Sequence, residues 1–210
     1  MFKKKALFIT FEGIEGSGKT YQSKKLFNKI KSLGINAIYT REPGGSHGSE
    51  LIRKVILNGK KNKFTKNTDT LLYLAARNEH IEKKIIPTLK KKQVIICDRF
   101  IDSTYAYQVY ANKVDKKLVD LNHKIILKKI KPDLTFILNL SIKKAFLRIK
   151  KRKRLNRYDK LSEKFYKKAQ AGFIKIAKRN KGRCVVLDNS TDNPLVEKII
   201  LNKFLRLIKK

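Results

Sequence analysis

Tryptophan is absent from this chain of 210 residues, methionine occurs once, and cysteine twice, at Cys97 and Cys184. Two cysteines are too few for a disulfide framework. Each sits in or beside a strand-like run without metal-ligand spacing, so a reduced, cytoplasmic compartment is expected. Proline is scarce at four residues and glycine moderate at ten, while 41% of the chain is hydrophobic, which excludes a disordered or low-complexity protein. No apolar run approaches the ~20 residues of a membrane span. The basic start Met1-Phe2-Lys3-Lys4-Lys5 runs into an apolar stretch that reads as a core strand rather than a signal peptide.

Acidic residues are also few, 17 against 52 basic ones, for a net charge of +35. Such a balance suggests a nucleic-acid partner. The lysines, however, spread over nearly every predicted helix and loop without forming one basic stripe. The expectation is therefore a compositional drift that attracts polyanions non-specifically at low salt, with no specific nucleic-acid site and no membrane partner.

What the chain does carry is Gly13-Ile14-Glu15-Gly16-Ser17-Gly18-Lys19-Thr20, which fits G-x-x-x-x-G-K-[ST] directly after the apolar run Ala6 to Phe11. In such a loop, glycines let backbone N–H groups turn inward around phosphate oxygens, Lys19 reaches the β- and γ-phosphates of a nucleotide, and Thr20 offers a hydroxyl to Mg²⁺. An amphipathic helix signal (Leu26, Phe27, Ile30, Leu33) follows and stops at Gly34.

Further on, strand-like runs at 36–40, 94–97, 134–140 and 184–187 alternate with helical spacing around Leu51 to Ile56, Thr68 to Lys92 with a break at Pro87, Ser103 to Tyr110, Lys116 to Lys129, and Pro194 to Leu207. This alternation predicts a single α/β domain over 1–210. It is built on a five-stranded parallel sheet with helices on both faces, of the P-loop NTPase type, and binds ligands at the carboxyl ends of the strands. The run Arg148 to Arg157 concentrates positive charge between two helices. Its bland reading is a solvated helix face; beside a phosphate loop it reads as a short basic lid, at about 148–158, that closes over a nucleotide.

At the end of the third strand stands Asp98-Arg99-Phe100. A carboxylate there suits Mg²⁺, held directly or through water, and a guanidinium suits an anionic oxygen. The alternative, a capping Asp and a surface Arg, is the poorer account when both a buried strand and a phosphate loop are present.

Taken in order, Phe11-Glu12-Gly13-Ile14-Glu15-Gly16, Thr40-Arg41-Glu42-Pro43-Gly44-Gly45, Tyr73 with Arg77 four residues on, and Asp98 through Gln108 resemble the thymidylate kinases across nearly the whole chain. The resemblance implies ATP-dependent phosphorylation of dTMP to dTDP for DNA precursor supply, with Mg²⁺ and a homodimer packed through helices. It implies that Gly13 to Thr20, with Arg148 and Arg157, hold ATP and that Thr20 and Asp98 serve the metal. Tyr73 would stack on the thymine, Arg77 and Gln108 would bond its edge with Thr104 beside them, and Arg53 and Arg99 would hold the acceptor phosphate near Arg41 and Glu42. Glu15 would face the sugar 3′-hydroxyl, and Tyr107 would lie near the sugar and disfavour a ribonucleotide. The catalytic group would be Lys19, Asp98, Arg99 and a lid cation among Arg148, Lys150, Arg152 and Arg154, with Arg152 the expected finger.

The chain departs from the family pattern in four places: Ser46 ends the turn where Thr is frequent, Tyr73 stands for Phe, Asn156-Arg157-Tyr158-Asp159 replaces D-R-[IF]-E, and the phosphate loop lacks the Arg that some members place between its glycines, so that by resemblance the lid supplies the catalytic cation. Two other readings compete: a kinase for another nucleoside monophosphate or a deoxynucleoside, and a P-loop ATPase acting on nucleic acid. A third, a degenerate binding module, sits poorly with intact Lys19, Thr20, Asp98 and Arg99.

Overall fold

The computed structural model describes residues 6–60, 63–153, 155–191 and 194–209; Met1 to Lys5 and Arg154 lie outside them. Five strands, β1 (Leu7–Glu12), β2 (Ala37–Arg41), β3 (Val94–Asp98), β4 (Leu134–Asn139) and β5 (Cys184–Asp188), form one parallel sheet in the order β2-β3-β1-β4-β5. Every residue of β1 and β3 is buried, as central parallel strands covered on both faces require.

One face packs on α1 (Lys19–Ser32) and α9 (Pro194–Lys209), with Leu26, Ile30, Ile200 and Phe204 against Phe11 and Phe136. Full burial of each such side chain contributes roughly 1.5–3 kcal/mol. The remaining helices include α2 (His47–Leu57), α3 (Lys66–His80), α6 (Lys116–Ile126), α7 (Ile142–Lys150) and α8 (Glu163–Arg179). Two apolar groups accompany them, one around Tyr166 and Phe173 and one around Phe8, Ile85 and Phe100.

Two helical stretches differ from the periodicity. The region expected to break at Pro87 widens earlier, into a π-helical turn at Ile81–Ile85, and resumes as α4 (Ile86–Lys90) with Pro87 in its first turn. The helix is continuous across the join, and the wider turn just before Pro87 gives room for a ring that has no N–H to donate. The helix expected at Ser103 to Tyr110 is a short α5 (Ile101–Thr104) running into a π-helical turn at Tyr105–Ala111. Its buried residues Thr104, Tyr107, Gln108 and Ala111 all face inward.

Candidate active site

The phosphate loop joins β1 to α1 at the carboxyl end of the central strand. Gly13 has φ +134°, and a Cβ there would strike the Leu138 carbonyl and the Ser17 hydroxyl, so the turn out of β1 needs glycine. Lys19 is buried, and its Nζ donates to the Ile14 carbonyl at 2.7 Å. Burial, followed by the neighbouring Arg99 charge, pushes its pKa down to about 7. A polyphosphate would favour the protonated form. The loop is tied from outside: Asn189, just beyond β5, donates from Nδ2 to the Ser17 carbonyl at 2.7 Å. Arg148 donates to the carbonyls of Gly16 at 3.3 Å and Asn189 at 3.1 Å.

Across the loop, the Thr20 hydroxyl donates to Asp98 Oδ2, while Asp98 Oδ1 is buried without a hydrogen-bond partner. A hydroxyl and a carboxylate oxygen with spare acceptor capacity are hard donors that fit Mg²⁺. No group of three or more His, Cys, Asp or Glu side chains among the described residues is arranged to hold a metal alone. These donors therefore suit an ion that keeps its waters and phosphate ligands.

Arg99 follows Asp98 with φ +72°, a left-handed conformation uncommon for a residue with a side chain. Its guanidinium donates to Gly13 O, Ser103 Oγ and Glu15 Oε1, each at 2.9 Å, and lies over the Tyr107 ring. The Tyr107 hydroxyl donates to the other Glu15 oxygen. Although burial opposes ionisation, Arg99 and then Lys19 hold the Glu15 carboxyl below its usual range. Behind them, the fully buried Glu12 accepts from Phe100 N at 2.7 Å and from Ser103 Oγ at 2.6 Å, fixing the turn that carries Arg99. Burial, then the Asp102 carboxylate, raises the Glu12 pKa to about 8.

One cavity of about 300 Å³ connects these groups to the expected acceptor residues. Lys19, Thr20, Asp98 and Arg99 line it together with Glu15, Arg41, Glu42, Arg53, Tyr73, Arg77, Thr104, Tyr107, Gln108 and Arg152. Tyr73 stands edge-to-face with Tyr158, ring centroids 5.9 Å apart. Gln108 is buried, yet its carboxamide has no hydrogen-bond partner among the described residues. Arg53 donates from Nη1 to the Pro43 carbonyl and has no other protein partner for its guanidinium among them. Arg41 is held by Glu50 at 3.0 Å.

Arg77 differs from a free base-edge donor. Its Nε donates to Glu42 Oε2 at 2.8 Å, its Nη1 to Thr104 Oγ1 at 2.7 Å and to His123 Nε2 at 2.9 Å, and its Nη2 to the Phe100 carbonyl at 2.9 Å. All three nitrogens are thus engaged inside the protein. Glu42 is likewise a buried anchor, shared by Arg77 and His80, rather than an open carboxylate.

In the basic segment, Arg148 and Lys150 belong to α7. Arg152 reaches the cavity and pairs with Asp159 at 2.5 Å. Arg157, expected to meet ATP, turns the other way: it is buried against Asp69, the Ile56 carbonyl and the Tyr158 ring, because Asp69 on α3 offers a buried countercharge. At Asn156, Nδ2 donates to Asp159 Oδ2 at 2.8 Å, a contact that an aspartate there would not make.

Glu12 stood in the quoted motif without a role, and Asn189 had as its only signal a polar cluster closing the last strand. Tyr158 stood only within the departure at 156–159, and Asp69 and His123 carried no local signal.

Residues 11–200 match the family described as Thymidylate kinase. The chain is 40% identical over 195 residues to a thymidylate kinase of a Sulfurihydrogenibium species, covering 93% of this chain and 95% of that one. It is 42% identical over 202 residues to a thymidylate kinase of Wolbachia pipientis wMel, covering 92% and 100%. In three dimensions it resembles the crystal structure of a thymidylate kinase from Ehrlichia chaffeensis with a TM-score of 0.77 and 34% identity, over 96% of this chain and 99% of the other.

Proposed function

The chain belongs to the thymidylate kinase family and phosphorylates dTMP to dTDP with ATP, and we propose that the transfer takes place in the single cavity between Lys19 and Gln108. The observation that carries this placement is the continuity of that cavity. The same space is lined both by Lys19, Thr20 and Asp98 and by Tyr73, Thr104 and Gln108, whose carboxamide has no partner among the described residues.

Phosphoryl transfer asks little covalent work of a protein; the obstacle is bringing two anionic phosphates into line. The loop amides from Gly13 to Gly18, Lys19 and Arg148 hold the donor. Arg53, whose donors are mostly unclaimed, and Arg99 hold the acceptor phosphate. Thr20 and Asp98 would hold Mg²⁺, which when bound would supply charge neutralisation for the donor phosphates. Arg152 adds positive charge from the lid side, and closure there excludes water, the competing acceptor. A phosphate monoester oxygen is already ionised near pH 7, so the acceptor needs no general base.

At the far end, the Tyr73 ring offers a face for stacking and Gln108 offers both a donor and an acceptor to a pyrimidine edge. Tyr107 and Glu15 lie where the sugar would bridge the two ends. A panel assay of ADP release with dTMP, UMP, AMP and GMP at equal concentration tests this placement. Faster turnover with any of the other three would overturn it.

The same reading extends to assembly and location. Leu51 and Val55 on α2, Leu71 on α3, and Leu121 and Ile125 on α6 are exposed apolar residues on helices that pack side by side, α2 against α3 and α3 against α6. This face suits a second copy of the chain, and sedimentation of the wild type against Leu121→Lys measures it. Both cysteines are free and buried, in keeping with a reducing cytoplasm, and no helix among the described residues is long and apolar enough to cross a membrane.

A further inference from the structure

One nitrogen of Arg77, Nη1, is bound by a chain of polar groups that do not line the cavity and that the transfer reaction does not use. Its first member is His123 on α6, 4% exposed, with Nε2 at 2.9 Å from Arg77 Nη1. Its Nδ1 lies 3.3 Å from the Tyr105 hydroxyl, and that hydroxyl donates to Asp120 Oδ1 at 2.9 Å. The Tyr105 and His123 rings meet edge-to-face at 5.4 Å.

The proton positions in this chain are fixed from both ends. Arginine has no acceptor, so the bond to Arg77 requires a lone pair on His123 Nε2. An ionised Asp120 only accepts, so Tyr105 gives it the hydroxyl proton and keeps its oxygen lone pairs for His123 Nδ1–H. Both ends demand the same neutral, Nδ1-protonated imidazole. Burial, followed by the Arg77 charge, pushes the His123 pKa down to about 3, which keeps the ring in that neutral form.

We propose that His123, held in one tautomer by Tyr105 and Asp120, is a positioning residue that sets the plane of Arg77 at the base end of the acceptor cavity; this rests on the reading that the base of dTMP lies there. The arrangement has a consequence for Thr104. Its Oγ1 accepts from the same Arg77 nitrogen at 2.7 Å, so its own proton is left for an acceptor oxygen on the base edge. His123 thereby acts on recognition through Arg77 and, by way of Arg77, through Thr104, while itself lying outside the cavity lining.

The test compares His123→Leu, which removes the acceptor, with His123→Gln, whose carbonyl oxygen can stand in for Nε2, and with Tyr105→Phe. His123→Leu is expected to raise the KM for dTMP roughly 10- to 100-fold, the effect of losing a hydrogen bond to a charged group, with the KM for ATP little changed. His123→Gln should recover most of that loss, and Tyr105→Phe should show a smaller shift of the same kind. Long-range ¹H–¹⁵N spectra of the wild-type imidazoles should show His123 as the Nδ1–H tautomer, a readout that does not depend on whether a variant folds.

An Nε2–H tautomer would overturn the proposal and leave the acceptor cavity standing. So would equal rises in the two KM values, or a Gln variant as impaired as Leu. An Arg77→Ala enzyme with unchanged KM for dTMP would instead remove the base-site reading itself.

Discussion

Glu42 and Arg77, 35 positions apart in the chain, meet as a buried ion pair at 2.7 Å, with side chains 4% and 2% exposed. Beside them, His80 Nδ1 lies 3.0 Å from the other Glu42 oxygen, and Thr40 Oγ1 lies 2.7 Å from His80 Nε2. The turn after β2 is therefore locked to α3 by charge, and the wall of the acceptor cavity inherits its shape from that lock.

Removing one partner of such a pair leaves a charge buried and unpaired, at a cost of about 3–5 kcal/mol. Arg77→Ala should accordingly lower the Tm by roughly ten degrees as well as raise the KM for dTMP. The double variant Arg77→Met with Glu42→Gln should regain much of the Tm but none of the KM. Thermal melts alongside steady-state kinetics separate the two effects, and an Arg77→Ala protein with wild-type Tm would show that the pair does not hold the wall.

The local motifs were legible because they are local. The phosphate loop is a run of eight residues whose glycines and Lys19 act on one another within a few positions, and the fully apolar β1 and β3 announce their burial on both faces. What sequence spacing hides is the partner across the fold. Arg157 and Asp69 are 88 positions apart, so nothing around Arg157 marks it as a buried anchor rather than a ligand of ATP. His123 reads as one polar residue on an amphipathic helix until α3 brings Arg77 against it. The π-helical turns were hidden for a related reason, since each displaces the apolar spacing by only a single position, which a short sequence window does not distinguish from an irregular helix.

Glu12 makes stability depend on pH in a direction opposite to most carboxylates. Its pKa rises from 4.5 to about 8 on folding, so between those values the folded state holds a proton that the unfolded state has lost. Its contribution is thus full below about pH 4.5 and is lost as the pH climbs through 8. Glu12→Gln keeps an acceptor for Phe100 N and cannot ionise. The Tm of this variant relative to wild type should rise steadily from pH 5 to pH 8; a constant difference across that range would refute the shift.

Asp98 is bound by Thr20 through one oxygen and leaves the other, Oδ1, buried and unclaimed. Asp98→Asn retains an acceptor for the Thr20 hydroxyl while removing the charge that a divalent ion needs. Turnover should fall roughly 10²–10³-fold, the scale of losing one preorganised electrostatic group. The Mg²⁺ concentration for half-maximal rate should rise with it, while the Tm stays near that of wild type. An unchanged Mg²⁺ dependence would assign Asp98 to holding the loop alone. Lys19→Ala should cost turnover at least as much, because that side chain acts on charge that peaks during transfer.

The lid offers a choice between two arginines with different surroundings. Arg148 donates from Nη1 to the carbonyls of both Gly16 and Asn189, a posture that braces the phosphate loop. Arg152 lines the cavity, is 40% exposed along its side chain, and is held by a single carboxylate, Asp159, whose own side chain is fully buried. Asp159 also accepts from Asn156 N at 2.9 Å and Asn156 Nδ2 at 2.8 Å, so the carboxylate stays hydrogen-bonded when the guanidinium leaves it for a developing phosphoryl charge. Since an arginine in that position is worth ~10³ to 10⁵ in rate, Arg152→Met should reduce kcat by at least the lower figure with almost no change in Tm. Lys153→Met, on an exposed neighbour outside the cavity, should leave kcat within about twofold, the range of ordinary surface substitutions. Single-turnover measurements at saturating ATP and dTMP would decide it: small and equal effects at 152 and 153, with a large one for Arg148→Met, would move the catalytic cation from the lid to the end of α7.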